Sequence, residues 1–377
     1  MRIGIDVRVL SYEFTGIPIY VSEMIRYWSM DEQEDEFFLY SNKPLKINDL
    51  PGDNWHIIID RHRFGGIWAK TRLRRLLVRD RIDVYWEPMN FLPRRIRGVK
   101  YVVTVHDIAV YLNPSYGSFT DSILERAFLP GSCKRADRIV AISESTKKDI
   151  VSHFGVTGDK IEVIHNGDSP YTGKERSYSD SQLKECCERW GITPGNYLLF
   201  VSTLEPRKNV VTIVKAYDIL RSSGRFGGRL VLAGKKGWKS ESIFEQIENS
   251  PYKEDIIVTG YVSDIDKECF YRNAACFVFP SFYEGFGFPI VEAMSVGLPV
   301  VTSDVSSMPE VGGDEAFYIP ADRLTEAGCL ADAVGRVLEM DEENRKALAM
   351  REQKRVERFS RKKCAQKVLE CIKNTGN

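Results

Sequence analysis

No stretch of this chain approaches the roughly 18 consecutive apolar residues that a membrane-spanning helix requires. The opening, MRIGIDVRVL, lacks the long apolar core and small-residue cleavage site of a secretory leader, and has instead the pattern of a strand. Neither charge dominates: 53 Lys and Arg balance 53 Asp and Glu, so bulk charge gives no argument for a nucleic-acid partner. The eight cysteines contain no CxxC pair and no regular spacing. That pattern disfavours a zinc site and fits reduced thiols in a cytosolic protein, with Cys276 inside an apolar strand-like run. No GxGxxG follows the first strand, and LAGKKG lacks both the glycine spacing of a P-loop and the Ser or Thr after its lysine. The Asp-x-Asp at Asp264–Asp266 precedes the helical pattern KECFYRNA, where acids cap a helix; this favours a structural role over a metal site.

What is present is a chain of 377 residues, 43% hydrophobic and 28% charged, a globular composition too long for one ordinary core. Short apolar runs alternate with helical patterns. RIGIDV, WHIIID, DVYWE, YVVTVH, RIVAIS and IEVIH form one series of expected strands. YLLFVS, RLVLAG, DIIVTG, CFVFP, LPVVTS and AFYIP form a second. Such alternation predicts parallel sheets covered on both faces, hence two doubly wound α/β domains. The polar stretch 166–187 has linker composition. The expected organisation is a first domain over 1–170, a linker over 171–190, a second domain over 191–355, and a C-terminal helix over 356–377 that packs back on the first domain.

Two strand–loop–helix stretches of the second domain carry chemistry. In CFVFPSFYEGFGFPIVEAMSVGLPVVTS, Glu284 lies in the loop and Glu292 in the helix, with Pro289 suited to the helix's first turn and Gly297 and Pro299 to its stop. Gly285 and Gly287 permit close backbone approach to a ligand. A carboxylate suits a pair of hydroxyls, and a helix N-terminus suits an anion. In YLLFVSTLEPRKNVVTIVKAY, Arg207 and Lys208 stand where a helix begins, a metal-free site for a diphosphate. Each feature also has an ordinary reading, a helix-dipole acid for Glu292 and a solvated basic pair for Arg207 and Lys208.

Together, STLEPRKN and PSFYEGFGFPIVEAMSVGLPVVTSDVSSMPEVGG resemble the family 4 glycosyltransferases of GT-B fold, and VVTVHDIAV, AISESTKKDI and VIHNG match that family's first domain. The resemblance spans nearly the whole chain and is strongest to bacterial mannosyltransferases of O-antigen and other surface polysaccharides. It implies two Rossmann-like domains facing a central cleft, and retaining, metal-independent transfer of a hexose, mannose from GDP-mannose, to a lipid-linked saccharide in the cytoplasm. No cofactor beyond the donor is implied. It assigns Glu292 to the ribose hydroxyls and Glu284, with the backbone of Gly285, Phe286 and Gly287, to the transferred sugar. Arg207 and Lys208 fall on the diphosphate, His106 on the donor sugar, and Tyr261 and Val262 beside the base. The first strand-to-helix loop departs from the family pattern: Gly16 stands alone, and Pro18 at the second glycine's place lacks an N–H donor. A UDP-sugar donor, a nucleotide-sugar epimerase of the same fold and a noncatalytic sugar-nucleotide-binding subunit stay open as alternatives.

Residues 61–81 hold eight Arg or Lys against the single acid Asp80. Ile67, Trp68, Leu73, Leu76 and Leu77 fall largely on one helical side, so the segment is either an amphipathic helix packed on its sheet or a contact for anionic lipid, where a lipid-linked acceptor would wait.

Overall fold

The computed structural model describes residues 1–12, 16–31, 34–46, 52–117, 119–169, 171 and 178–376, with the backbone alone for 119–122. The chain forms two compact units, one of Met1–Leu112, Phe119–Gly167 and Phe359–Asn377, the other of Asn113–Ser118 and Asp168–Arg358.

The first unit holds seven strands: β1 (Arg2–Asp6), β2 (Glu36–Ser41), β3 (Trp55–Ile59), β4 (Val84–Glu87), β5 (Lys100–Val105), β6 (Arg138–Ala141) and β7 (Ile161–Val163). All pair in parallel, in the order β3-β2-β1-β4-β5-β6-β7. β2 was absent from the expected series; EFFLYS pairs with β1 from Arg2↔Glu36 to Asp6↔Tyr40. The helices flanking these strands include α1 (Ile17–Met30), α2 (Gly65–Arg79) and α3 (Phe119–Arg135). Trp68, Leu73 and Leu77 of α2 are buried in one cluster with Tyr85, Tyr101 and Val103 of the sheet. Ile67 departs from the expected apolar side: it is 54% exposed, about a quarter-turn from the residues that pack inward.

The second unit holds β8 (Tyr197–Val201), β9 (Arg229–Ala233), β10 (Ile256–Gly260), β11 (Cys276–Phe279), β12 (Val300–Ser303) and β13 (Phe317–Ile319). They pair in the order β10-β9-β8-β11-β12-β13, again all parallel. Every residue of β8, β11 and β12 is buried, as apolar runs covered on both faces must be. Its helices include α4 (Asp180–Trp190), α5 (Val210–Ser222), α6 (Asp264–Asn273) and α7 (Phe288–Ser295). The expected linker therefore ends in a helix; its residues 172–177 lie outside the described ones. α4 opens with a Ser179–Gln182 capping box and packs on α6. The Asp-x-Asp acids begin α6. Asp266 closes a capping box with Ser263 and accepts hydrogen bonds from Trp190 Nε1 at 2.8 Å and from Arg189. Its carboxylate is thus committed to holding two helices together.

The last helix, α8 (Arg361–Gly376), belongs to the first unit. Val368, Leu369 and Ile372 join Trp28 of α1 and Trp86 and Val102 of the sheet in a second core cluster. Trp28 Nε1 donates to the carbonyl of Ala365 at 2.7 Å, so the indole is buried with its polar atom satisfied. Both sheets have the doubly wound order, in which the chain reverses direction beside its first strand. The reversals lie between β1 and β4 and between β8 and β11. In such sheets ligands bind beyond the carboxyl ends of the strands at these points.

Candidate active site

The loops after β8 and β11 leave either side of the second unit's reversal. After β8, residues Pro206–Lys208 make one 3₁₀ turn, and Asn209 then adopts a left-handed conformation (φ 58°) before α5 begins. Asn209 is held there by hydrogen bonds from its Nδ2 to the carbonyls of Pro280 (3.2 Å) and Leu324 (2.7 Å). Arg207 and Lys208 therefore sit one turn ahead of the helix rather than within it. Gly234, after β9, lets this loop pack closely: a Cβ there would stand 1.9 Å from the carbonyl oxygen of Ser202.

After β11, Glu284 is buried and is approached by both cations. Lys208 Nζ donates to its Oε1 at 2.5 Å, and Arg207 donates to its Oε2 at 3.0 Å and to the carbonyl of Tyr283 at 2.7 Å. Glu205 holds Arg207 from the other side at 2.9 Å. The backbone of Glu284 is fixed as well. Its N–H donates to Ser306 Oγ at 2.9 Å, while the hydroxyls of Ser306 and Ser307 donate to its carbonyl, each at 2.9 Å. Ser306 itself is in the left-handed region (φ 47°), an uncommon state for a residue with a Cβ.

Burial alone would raise the Glu284 carboxyl, but the charges of Arg207 and Lys208 and the Lys208 hydrogen bond outweigh it and bring it to about 2. Burial pushes the Lys208 ammonium down, with Arg207 adding to the shift and Glu284 opposing it. Glu284 is accordingly a fixed negative charge across the neutral range and cannot serve there as a proton donor.

The next residues turn into α7. Gly285, Phe286 and Gly287 are all buried. Gly287 has φ 96°, a conformation that strains any other residue, and Pro289 lies in the helix's first turn. Glu292 is the fifth residue of α7, in its middle rather than its opening turn. It is 2% exposed; Lys267 Nζ donates to Oε1, and the Tyr271 hydroxyl donates to Oε2 at 2.9 Å. Lys267 and Tyr271 are one turn apart on α6 and were not singled out by the sequence reading. A carboxylate offers about four lone-pair positions, and these contacts use two of them. Tyr261, just past β10, is 76% exposed and available to a ligand, with Val262 half-buried beside it.

In the first unit, His106 follows β5. Its Nε2 lies 3.0 Å from the carbonyl of Pro88, and the Tyr20 ring meets the imidazole edge-on at 5.1 Å. Burial lowers the imidazole's pKa, against the Pro88 hydrogen bond and the Asp107 charge, so the ring is neutral at neutral pH. A carbonyl only accepts, hence Nε2 carries the proton and Nδ1 keeps its lone pair. Gly16 caps α1 with φ 54° and open space where a Cβ would be, and Pro18 occupies the helix's first turn.

Residues 188–355 match the family model of the glycosyl transferases group 1, and residues 15–168 that of glycosyltransferase family 4. O-antigen chain mannosyltransferase B of Escherichia coli is 30% identical over 331 residues, 83% of this chain and 85% of the relative. The serotype-specific mannosyltransferase WbdA of Escherichia coli is 30% identical over 236 residues, 59% of this chain but only 28% of that longer relative. Among solved structures, Anabaena HepE in complex with UDP and glucose has a TM-score of 0.73 at 18% identity, covering 99% of both chains, a likeness of fold. With both family models matched in order, a relative aligned along most of its length and two doubly wound parallel sheets, the chain belongs to the GT-B glycosyltransferases of group 1 and family 4.

Proposed function

We propose that this glycosyltransferase moves mannose from GDP-mannose to a lipid-linked saccharide during synthesis of a bacterial surface polysaccharide, with retention of anomeric configuration and without a metal. The observation that carries the reading is the buried Glu284 held between Arg207 and Lys208 at the second unit's strand reversal. The mannose assignment takes its support from the mannosyltransferase names of the relatives.

Breaking the bond between the anomeric carbon and the phosphate oxygen leaves negative charge on the diphosphate and positive charge on the sugar. Arg207 and Lys208, already oriented, stabilise the first. Glu284, ionised at every neutral pH, stabilises the second. The acceptor hydroxyl attacks from the face the diphosphate leaves, and its proton passes to the departing phosphate oxygen. Glu292 receives the ribose hydroxyls. His106 offers its Nδ1 lone pair to a hydroxyl of the donor sugar. Tyr261 and Val262 border the base, and the backbone of Gly285, Phe286 and Gly287 meets the sugar. Gly16 gives close backbone approach in a loop where Pro18 has removed one donor.

Among the described residues no helix is long and apolar enough to cross a membrane. Access to a lipid-linked acceptor would then come from peripheral contact at the cytoplasmic face, through the cations of residues 61–81. Arg207→Ala tests the central assignment. It should leave the fold intact while weakening GDP binding and cutting transfer roughly 100-fold, about 3 kcal/mol; unchanged turnover would remove Arg207 from the site.

A further inference from the structure

The first unit contains a pocket of about 120 Å³ that the proposed chemistry does not use. Gly66, Ala69 and Lys70 of α2 form one wall, Phe91, Leu92 and Pro93 after β4 a second, and Leu124 and Phe128 of α3 a third, with Arg8 completing the lining. Arg8 follows β1 and residues 91–93 follow β4, so the pocket lies where this sheet reverses, the usual place for a ligand in a doubly wound sheet.

Its polar groups are of one kind. Arginine and lysine only donate hydrogen bonds, and the rest of the lining is apolar or glycine. A saccharide, whose hydroxyls both donate and accept, fits such a lining poorly. An apolar body with an acceptor-only head fits it well.

Arg8 is held in place by its neighbours. Its Nε donates to both oxygens of Asp6, at 2.9 and 2.8 Å, one terminal nitrogen donates to the carbonyl of Gly65 at 3.0 Å, and the other pairs with Asp6 at 2.7 Å. These contacts engage three of the five guanidinium N–H groups and leave two. Glu87, at 4.0 Å, is beyond hydrogen-bond reach, and burial together with the Asp6 charge pushes its carboxyl well up, towards the neutral form. Lys70 lies over the Phe128 ring at 3.6 Å. α2 has fifteen residues, no side-chain cap and no acid in its first turn, so its leading N–H groups add to the attraction for an anion. Leu124 of the lining is 42% exposed, and its chain neighbour Ile123 and, at the start of α2, Phe64 and Ile67 are 52%, 55% and 54% exposed.

We propose that this pocket holds the phosphate end of the acceptor lipid, the phosphate against Arg8 and the start of α2 and the first part of the apolar chain between Phe91, Leu124 and Phe128. The inference rests on the lipid-linked acceptor proposed above and adds the place where the lipid is recognised.

Calorimetric titration of the full chain with farnesyl phosphate, farnesol and inorganic phosphate tests it. Farnesyl phosphate should bind at least about tenfold more tightly than either half alone, the effect of one charge-assisted hydrogen bond. Gly66→Phe, which places a ring where the backbone now meets open space, and Lys70→Glu should each weaken it about tenfold while GDP binding is unchanged. No binding, equal binding by farnesol, equal binding by inorganic phosphate, or binding that survives both substitutions would overturn the pocket. The GDP arm judges the nucleotide-sugar reading separately: lost GDP binding with intact farnesyl phosphate binding would strike the donor assignment and support the pocket.

Discussion

Arg207, Lys208, Ser306 and Ser307 all hold Glu284, and the first two set its charge while the serines set its position. Because its carboxyl lies at about 2 in the folded chain against an ordinary 4.5, ionisation of Glu284 favours folding. That contribution is complete above the unfolded value and is lost as pH falls from about 4.5 towards 2. The unfolding free energies of the native chain and Glu284→Gln should therefore differ more at pH 7 than at pH 3; a gap independent of pH would contradict the charge assignment. Glu292 makes a second, separable claim. Glu292→Ala should weaken GDP more than inorganic pyrophosphate, and an equal loss for both would remove the ribose from it. Arg207, Lys208 and both glutamates are legible in the sequence because each lies in a short strand–loop–helix stretch. Lys267, Tyr271 and Ser306 are not, because their partners lie 25, 21 and 22 residues away and meet them only once the sheet has formed. Lys267 and Tyr271 still left a faint signal, a four-residue spacing that puts both on one face of α6.

At the scale of elements, α2 divides its residues sharply. Trp68, Leu73 and Leu77 are buried against the sheet, and Leu73→Ala should cost about 2–5 kcal/mol of stability in a denaturant titration. A loss below about 1 kcal/mol would deny Leu73 its place in the core. Arg74 and Arg75 face outward, and Arg72 is tied to Asp60 at 2.9 Å. If this surface meets anionic lipid, reversing the charge of Arg72, Arg74 and Arg75 should abolish flotation with anionic vesicles, leaving the weak binding to neutral ones unchanged. Equal flotation with both vesicle types, unaffected by the reversal, would sink the membrane contact. Periodicity exposed α2 as amphipathic but misassigned Ile67, since a helix packed on a sheet buries a narrower stripe than its apolar residues cover. β2 is hard to read from the sequence because EFFLYS follows directly on the acidic run DEQED. α4 looked like linker because only Leu183, Cys186 and Cys187 of its eleven residues are buried.

For the whole molecule, the doubly wound class was legible because parallel strands covered on both faces are continuous apolar runs, and all six in the second unit stood out. The return of α8 to the first unit rests on Trp28, Val368 and Ile372 meeting 337 or more residues apart in sequence. The mannose assignment rests on overall resemblance and on no single side chain of the sequence. Calorimetric titration of the purified, metal-free chain with GDP, UDP and their common sugar conjugates tests the central claim most directly. Selective, metal-independent binding of GDP and GDP-mannose is the expected result; preference for UDP and a UDP-sugar would contradict the mannose assignment while leaving the fold and the proposed roles of Arg207, Lys208 and Glu284 in place.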